Sequence, residues 1–77
     1  MTNEKDNRKA VKLNETQTAN LKNVNLMARC DHKVVRRPAT NFFQAGFDVI
    51  RLSDSENVGG SLTIDAAISN AWSLYRN

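Results

Sequence analysis

The chain contains a single cysteine and no long apolar run, and each scarcity excludes a class of protein. With Cys30 alone, no internal disulfide can form and no cysteine-based zinc knuckle can be assembled, so we expect a reducing, cytoplasmic environment. No segment approaches the roughly 20 apolar residues that a membrane-spanning helix needs. Residues 1–20 also lack the apolar region of a signal peptide, so we expect a soluble protein without a membrane partner.

Catalytic, cofactor and nucleic-acid signatures are missing too, including zinc-finger spacing and the glycine-aromatic pattern of an RNA-recognition motif. Cys30, Asp31 and His32 could supply ligands, but consecutive residues of an extended chain point to opposite faces, and a structural zinc needs four ligands. A nucleophilic Cys30 would need His32, Arg29 and Lys33 exposed together beside it. We therefore expect no enzyme, no cofactor and no metal, and predict that Cys30 is a small apolar core residue.

Length and composition predict one small domain with a tail. A chain of 77 residues buries only about 60% of its unfolded surface, which leaves little interior for a deep active site. The hydrophobic fraction of 40% exceeds that of disordered chains. The first dozen residues are nearly all polar or charged, so we predict a flexible basic tail at 1–12 and a single globular domain at 13–77.

The net charge of +3 is distributed unevenly along the chain. Residues 1–37 hold nine of the 11 lysines and arginines and four of the eight acidic residues, a net charge of +5, whereas residues 38–77 carry −2. Several cations on one surface attract phosphate or an acidic protein surface. The basic run Arg29, Lys33, Arg36 and Arg37 is therefore the candidate partner-binding segment.

The C-terminal segment shows the strongest helical periodicity. Thr63 is a suitable N-cap, and we predict a helix over 63–76. Trp72 lies on its apolar stripe, so we predict that the ring fills the core against the strand carrying Val49 or Ile50, with an interface anchor as the alternative. The stripe consists of Ile64, Ala67, Ile68, Ala71, Trp72 and Tyr75.

The stretch "GFDVIRLSD" is short and rich in β-branched and aromatic residues, which predicts a strand at 47–53. A helical turn or loop is expected before it, at 39–45, because Gly46 disfavours a longer helix. The stretch "SDSENVGG" at 53–60 is dense in turn-forming residues, which predicts a loop of about eight residues.

Residues 23–30 allow two interpretations. Strict alternation of apolar and polar residues favours a strand, with a turn at Asp31-His32 leading into the strand "KVVRR", and the three asparagines at positions 20, 23 and 25 weaken a helix. A helix through Leu21, Val24 and Ala28 is the competing interpretation. We predict an α+β fold in which about three antiparallel strands are covered by the C-terminal helix, with a three-helix bundle as the alternative.

Phe42 and Phe43 complete the candidate partner-binding residues, because exposed aromatic rings beside cations can stack on bases. In a chain this small, a position in the core is the expectation we favour for both. We predict a non-enzymatic adaptor or inhibitor, of the kind encoded by phages and mobile elements, that occupies an acidic or nucleic-acid-binding surface of a larger protein. Direct nucleic-acid binding through the same residues is the alternative, and a homo-oligomer stays open.

Overall fold

The computed structural model describes residues 8–76. Along the chain, one helix precedes three consecutive strands and a second helix follows them. The strands form one antiparallel sheet in the order β1-β2-β3. This confirms the predicted α+β fold, and the three-helix-bundle alternative is wrong. The elements are α1 (Glu15–Ala28), β1 (His32–Arg37), β2 (Gly46–Arg51), β3 (Glu56–Ser61) and α2 (Ile64–Arg76).

Helix α1 replaces the strand predicted at 23–30. A capping box starts it: the Gln17 N–H donates to Asn14 Oδ1 at 2.8 Å, and the Asn14 N–H donates to Gln17 Oε1 at 3.1 Å. Leu21 and Val24 are buried, whereas Leu26 is exposed, so a helical spacing decides burial. The helix ends at Arg29, which has a φ of 59°. The predicted turn at residues 31–32 is therefore wrong, because the chain turns at 29–30 and residue 32 already begins β1.

Strand β2 confirms the strand predicted at 47–53, although it ends earlier, at Arg51. The loop predicted at 53–60 is wrong, because residues 52–55 form a turn and β3 follows at once. The Ser55 N–H closes this turn on the Arg51 carbonyl at 2.7 Å, and the Arg51 guanidinium donates to both carboxylate oxygens of Asp54 at 2.9 and 2.7 Å. Residues 39–45 form a loop without regular structure, one of the two predicted outcomes.

Gly59 explains why a glycine pair that resembles a loop lies in a strand. A Cβ atom at this position would lie 2.6 Å from the Ala67 carbonyl oxygen and 2.7 Å from the Ala71 nitrogen. Helix α2 therefore rests directly on the backbone of β3, and only glycine leaves room for this contact.

The helices lie on one face of the sheet and run parallel to each other. Gln17 Nε2 donates to Asp65 Oδ1 at 3.1 Å, which joins the first turns of α1 and α2. Asn25, in the last turn of α1, and Tyr75, in the last turn of α2, both contact His32. Both helices therefore begin at the end of the sheet that carries the loop 38–45, which we call the loop end. Both finish at the opposite end, beside the turn 52–55, which we call the turn end.

The main buried cluster lies between the helices and the sheet. Trp72 is not part of it: the residue is 36% exposed, so the predicted core position is wrong. Because Gly59, Ala67 and Ala71 bring α2 close to the sheet, an indole ring cannot fit between α2 and β3. The buried cluster comprises Leu21, Val24, Val34, Val49, Val58, Ala67, Ile68 and Ala71.

Part of the predicted N-terminal tail is placed on the sheet. The Val11 N–H donates to the Val34 carbonyl at 2.8 Å, and the half-buried Val11 side chain packs against the core. Residues 1–7 lie outside the described residues, so a flexible tail there stays a prediction. Of the helices in the described part of the chain, neither has the length and apolar character needed to cross a membrane.

Candidate partner-binding surface

The four predicted cations are dispersed over the molecule. Arg29 ends α1 at the turn end, whereas Arg36 and Arg37 finish β1 at the loop end. Side chains alternate along a strand, so Arg36 shares the helix-covered face with the core residue Val34, while Lys33 and Arg37 point to the far face. The basic run therefore does not form one continuous patch.

Arg37 is held on the far face by a buried carboxylate. Its Nη1 donates to Asp48 Oδ1 at 2.8 Å, and Arg8 Nη1 lies 3.4 Å from Asp48 Oδ2. Asp48 is 3% exposed, so its charge requires these partners. A Cβ at Gly46 or Gly60 would lie 2.7 and 3.0 Å from the Arg37 guanidinium nitrogens, which shows that this side chain lies flat on the sheet.

The remaining two cations on β1 differ in their surroundings. Lys33 Nζ donates to the Arg8 carbonyl at 2.6 Å. Arg36 is exposed, and its guanidinium carbon lies 5.4 Å from the centroid of the Phe47 ring, a cation–π contact. This contact holds the Arg36 side chain at the loop end without neutralising its charge.

Phe42 and Phe43 are 88% and 66% exposed, so the expectation that they belong to the core is wrong. Thr40 closes the loop that presents them. Its N–H donates to the Phe43 carbonyl at 2.8 Å, and its Oγ1 accepts from the N–H groups of Phe42 and Phe43 at 3.2 and 3.0 Å. The two rings therefore project from a hydrogen-bonded turn.

Leu62 extends the apolar character of this region. It is 58% exposed and directly follows β3, whose last residue pairs with Phe47 at the start of β2. Strand β1 ends, β2 begins and β3 ends at the same end of the sheet. Leu62 therefore lies at the loop end, as do the two exposed phenylalanines. We call Arg36, Phe42, Phe43 and Leu62 the loop-end surface.

His32 is occupied by a polar network that the sequence did not reveal. Its Nδ1 lies 2.8 Å from Asn25 Oδ1 and its Nε2 lies 2.7 Å from the Tyr75 hydroxyl, which also accepts from Arg51 Nη1 at 3.4 Å. These contacts are consistent with a neutral imidazole that donates a hydrogen bond from Nδ1 to Asn25 Oδ1 and accepts one at Nε2 from the Tyr75 hydroxyl. Burial lowers the pKa of His32, and the neighbouring Arg51 charge acts in the same direction.

The Cys30-Asp31-His32 run has little chemistry available to it. Both His32 nitrogens are engaged, and Cys30 is half-buried outside the core cluster, so its predicted core position is wrong. Within residues 8–76, no group of three potential His, Cys, Asp or Glu ligands converges on one point.

Comparison of the chain with protein families, with curated proteins and with solved structures finds no match. The functional proposals therefore rest on the exposures, contacts and charges of this chain's own residues.

Proposed function

We propose that this chain is a non-enzymatic protein-binding module, an adaptor or inhibitor that docks its loop-end surface on a larger protein. The observation that supports the proposal is the exposure of Phe42 and Phe43, at 88% and 66%, on a hydrogen-bonded turn. Covering a phenylalanine side chain contributes about 1.5–3 kcal/mol, and a loop that is already ordered loses little entropy on binding.

The chemistry of the surface suggests the chemistry of its partner. Aromatic residues and arginine are the common anchors of protein interfaces. Arg36 has no acidic partner within the described residues, so an acidic group on the partner would complement it. We therefore propose an apolar pocket with an acidic rim as the docking site, and the cytoplasm as the place of action. A phage or mobile-element origin stays a prediction.

Affinity capture with matched variants of the full chain tests this proposal. The wild type and a Leu26→Ala control should retain the same partner, because Leu26 is 72% exposed but lies on the last turns of α1, away from the loop end. The double variant Phe42→Ala/Phe43→Ala should lose that partner while keeping the wild-type circular dichroism spectrum. Equal recovery with all three proteins would refute the loop-end assignment.

Direct nucleic-acid binding is the second candidate, because the two exposed phenylalanines at the same end of the sheet as Arg36 could stack on unpaired bases. This candidate is less favoured than protein binding, because Arg37 is paired with Asp48 and the other cations are dispersed over the molecule. Fluorescence anisotropy with a labelled single-stranded oligonucleotide at two salt concentrations distinguishes the candidates, since phosphate contacts weaken steeply with salt. Absence of binding at low salt would eliminate this candidate.

A further inference from the structure

A groove of about 270 Å³ lies between α1 and α2 and is distinct from the loop-end surface. Trp72 contributes its partly exposed ring to this groove. The groove is lined by Asn20, Asn23, Asp65, Ile68, Ser69 and Trp72.

The polar groups of this groove are available to a ligand. Asn20, Asn23 and Ser69 are exposed, and within residues 8–76 their side chains form no hydrogen bond. Asp65 accepts one hydrogen bond from Gln17 through Oδ1, which leaves its second oxygen. No lysine or arginine among residues 8–76 lines the groove, so its described lining combines one negative charge, several oxygen acceptors and an indole ring.

We infer that the groove binds a guanidinium group, the arginine side chain of a partner polypeptide. A guanidinium is planar, stacks on aromatic faces and carries five N–H donors but no acceptor, which matches an indole ring beside oxygen acceptors. Asp65 repels anionic ligands. A purely apolar ligand would strip water from Asn20 and Asn23 without replacing their hydrogen bonds.

A titration with short blocked peptides tests the inference. Each peptide has the sequence Gly-Ser-X-Gly-Ser, where X is arginine, citrulline or lysine, and Trp72 emission reports binding because the chain has one tryptophan. The arginine peptide should give a saturable change. Citrulline, which has nearly the same shape without the charge, should bind about tenfold more weakly, and lysine should also bind more weakly because it cannot stack as a plane.

Two variants on different helices localise the site. Asp65→Asn preserves the shape and the acceptor for Gln17, and it should weaken the arginine peptide about tenfold by removing the charge. Asn23→Ala, on the exposed side of α1, should also weaken binding. Phe42→Ala/Phe43→Ala should leave peptide affinity unchanged, so this test succeeds or fails independently of the loop-end proposal. Equal binding of arginine and citrulline peptides, or wild-type affinity in the folded Asp65→Asn variant, would overturn the inference.

Discussion

Substituting the two adjacent glycines of β3 measures how closely α2 packs on the sheet. Neither glycine has a positive φ, so alanine at either position is compatible with the backbone and should reduce the entropy of the unfolded chain, a gain of about 0.4–1 kcal/mol. The two positions differ in what the new methyl group meets. At Gly59 it meets the backbone of Ala67 and Ala71 in α2, whereas at Gly60 it meets the side-chain ends of Asp48 and Arg37.

Backbone cannot move aside without shifting the helix, and overpacking of this kind costs about 1–3 kcal/mol. Overpacking of about 2 kcal/mol is partly offset by the entropic gain of about 0.7 kcal/mol, so we expect Gly59→Ala to destabilise the domain by about 1.3 kcal/mol net. Gly60→Ala should cost less, because the Asp48 carboxylate and the Arg37 guanidinium are side-chain ends that can shift together without breaking their hydrogen bond. With a urea m-value of about 1 kcal/mol/M for a domain this small, the Gly59→Ala midpoint should fall by about 1.3 M. Urea titrations followed by far-ultraviolet circular dichroism measure both midpoints. If Gly59→Ala proves as stable as Gly60→Ala, the close packing of α2 on β3 is refuted.

Three further predictions concern the polar network, the loop and the groove. Burial lowers the pKa of His32 in the folded state, so as pH falls His32 is protonated in the unfolded chain before it is protonated in the folded one, and stability should decrease below about pH 6.5. Urea midpoints at pH 7.5 and 5.5 should therefore differ in the wild type but not in His32→Phe. Thr40→Val removes the acceptor of two N–H groups, so the amide hydrogens of Phe42 and Phe43 should exchange with solvent about fivefold faster, which corresponds to about 1 kcal/mol in the free energy of local opening. The urea midpoint should not change, and unchanged exchange would contradict the role of Thr40. Trp72→Ala should remain folded and lose only about 1–2 kcal/mol, and native emission resistant to acrylamide quenching would contradict its exposure.

The helix α2 and the strand β2 were predictable because local patterns determine them. The Thr63 hydroxyl accepts from the Ala66 N–H at 3.1 Å, as an N-cap should, and the apolar stripe behind it places Ala67, Ile68 and Ala71 in the core. Helix α1 also carries a local signal, the capping box of Asn14 and Gln17, whereas the strand prediction rested on the alternating residues further along the helix.

The features that the sequence did not reveal depend on tertiary contacts. Gly59 lies in a strand because a helix distant in sequence packs against it, and no local pattern distinguishes that role from a turn. The same contact excludes Trp72 from the core although it lies on the apolar stripe. Phe42 and Phe43 resemble core residues by type alone, but the hydrogen bonds of Thr40 hold them in a loop outside the layers.

The loop-end surface and the groove are neighbours, which bears on whether one partner uses both. Leu62 precedes Asp65 by three residues, and from Asp65 to Trp72 the groove extends along α2 for about 10 Å at a rise of 1.5 Å per residue. A single polypeptide could therefore cover the loop end and place an arginine in the groove.

A double-mutant cycle of Phe43→Ala and Asp65→Asn, measured against a captured partner, tests this arrangement. If one segment binds both surfaces, each variant alone should weaken binding, and the coupling energy should exceed about 0.5 kcal/mol, because losing one anchor loosens the other. If the surfaces serve different partners, Asp65→Asn should leave binding of the loop-end partner unchanged. Isothermal titration calorimetry with the four proteins gives the coupling directly, and an effect of Phe43→Ala alone would show that the loop-end partner does not use the groove.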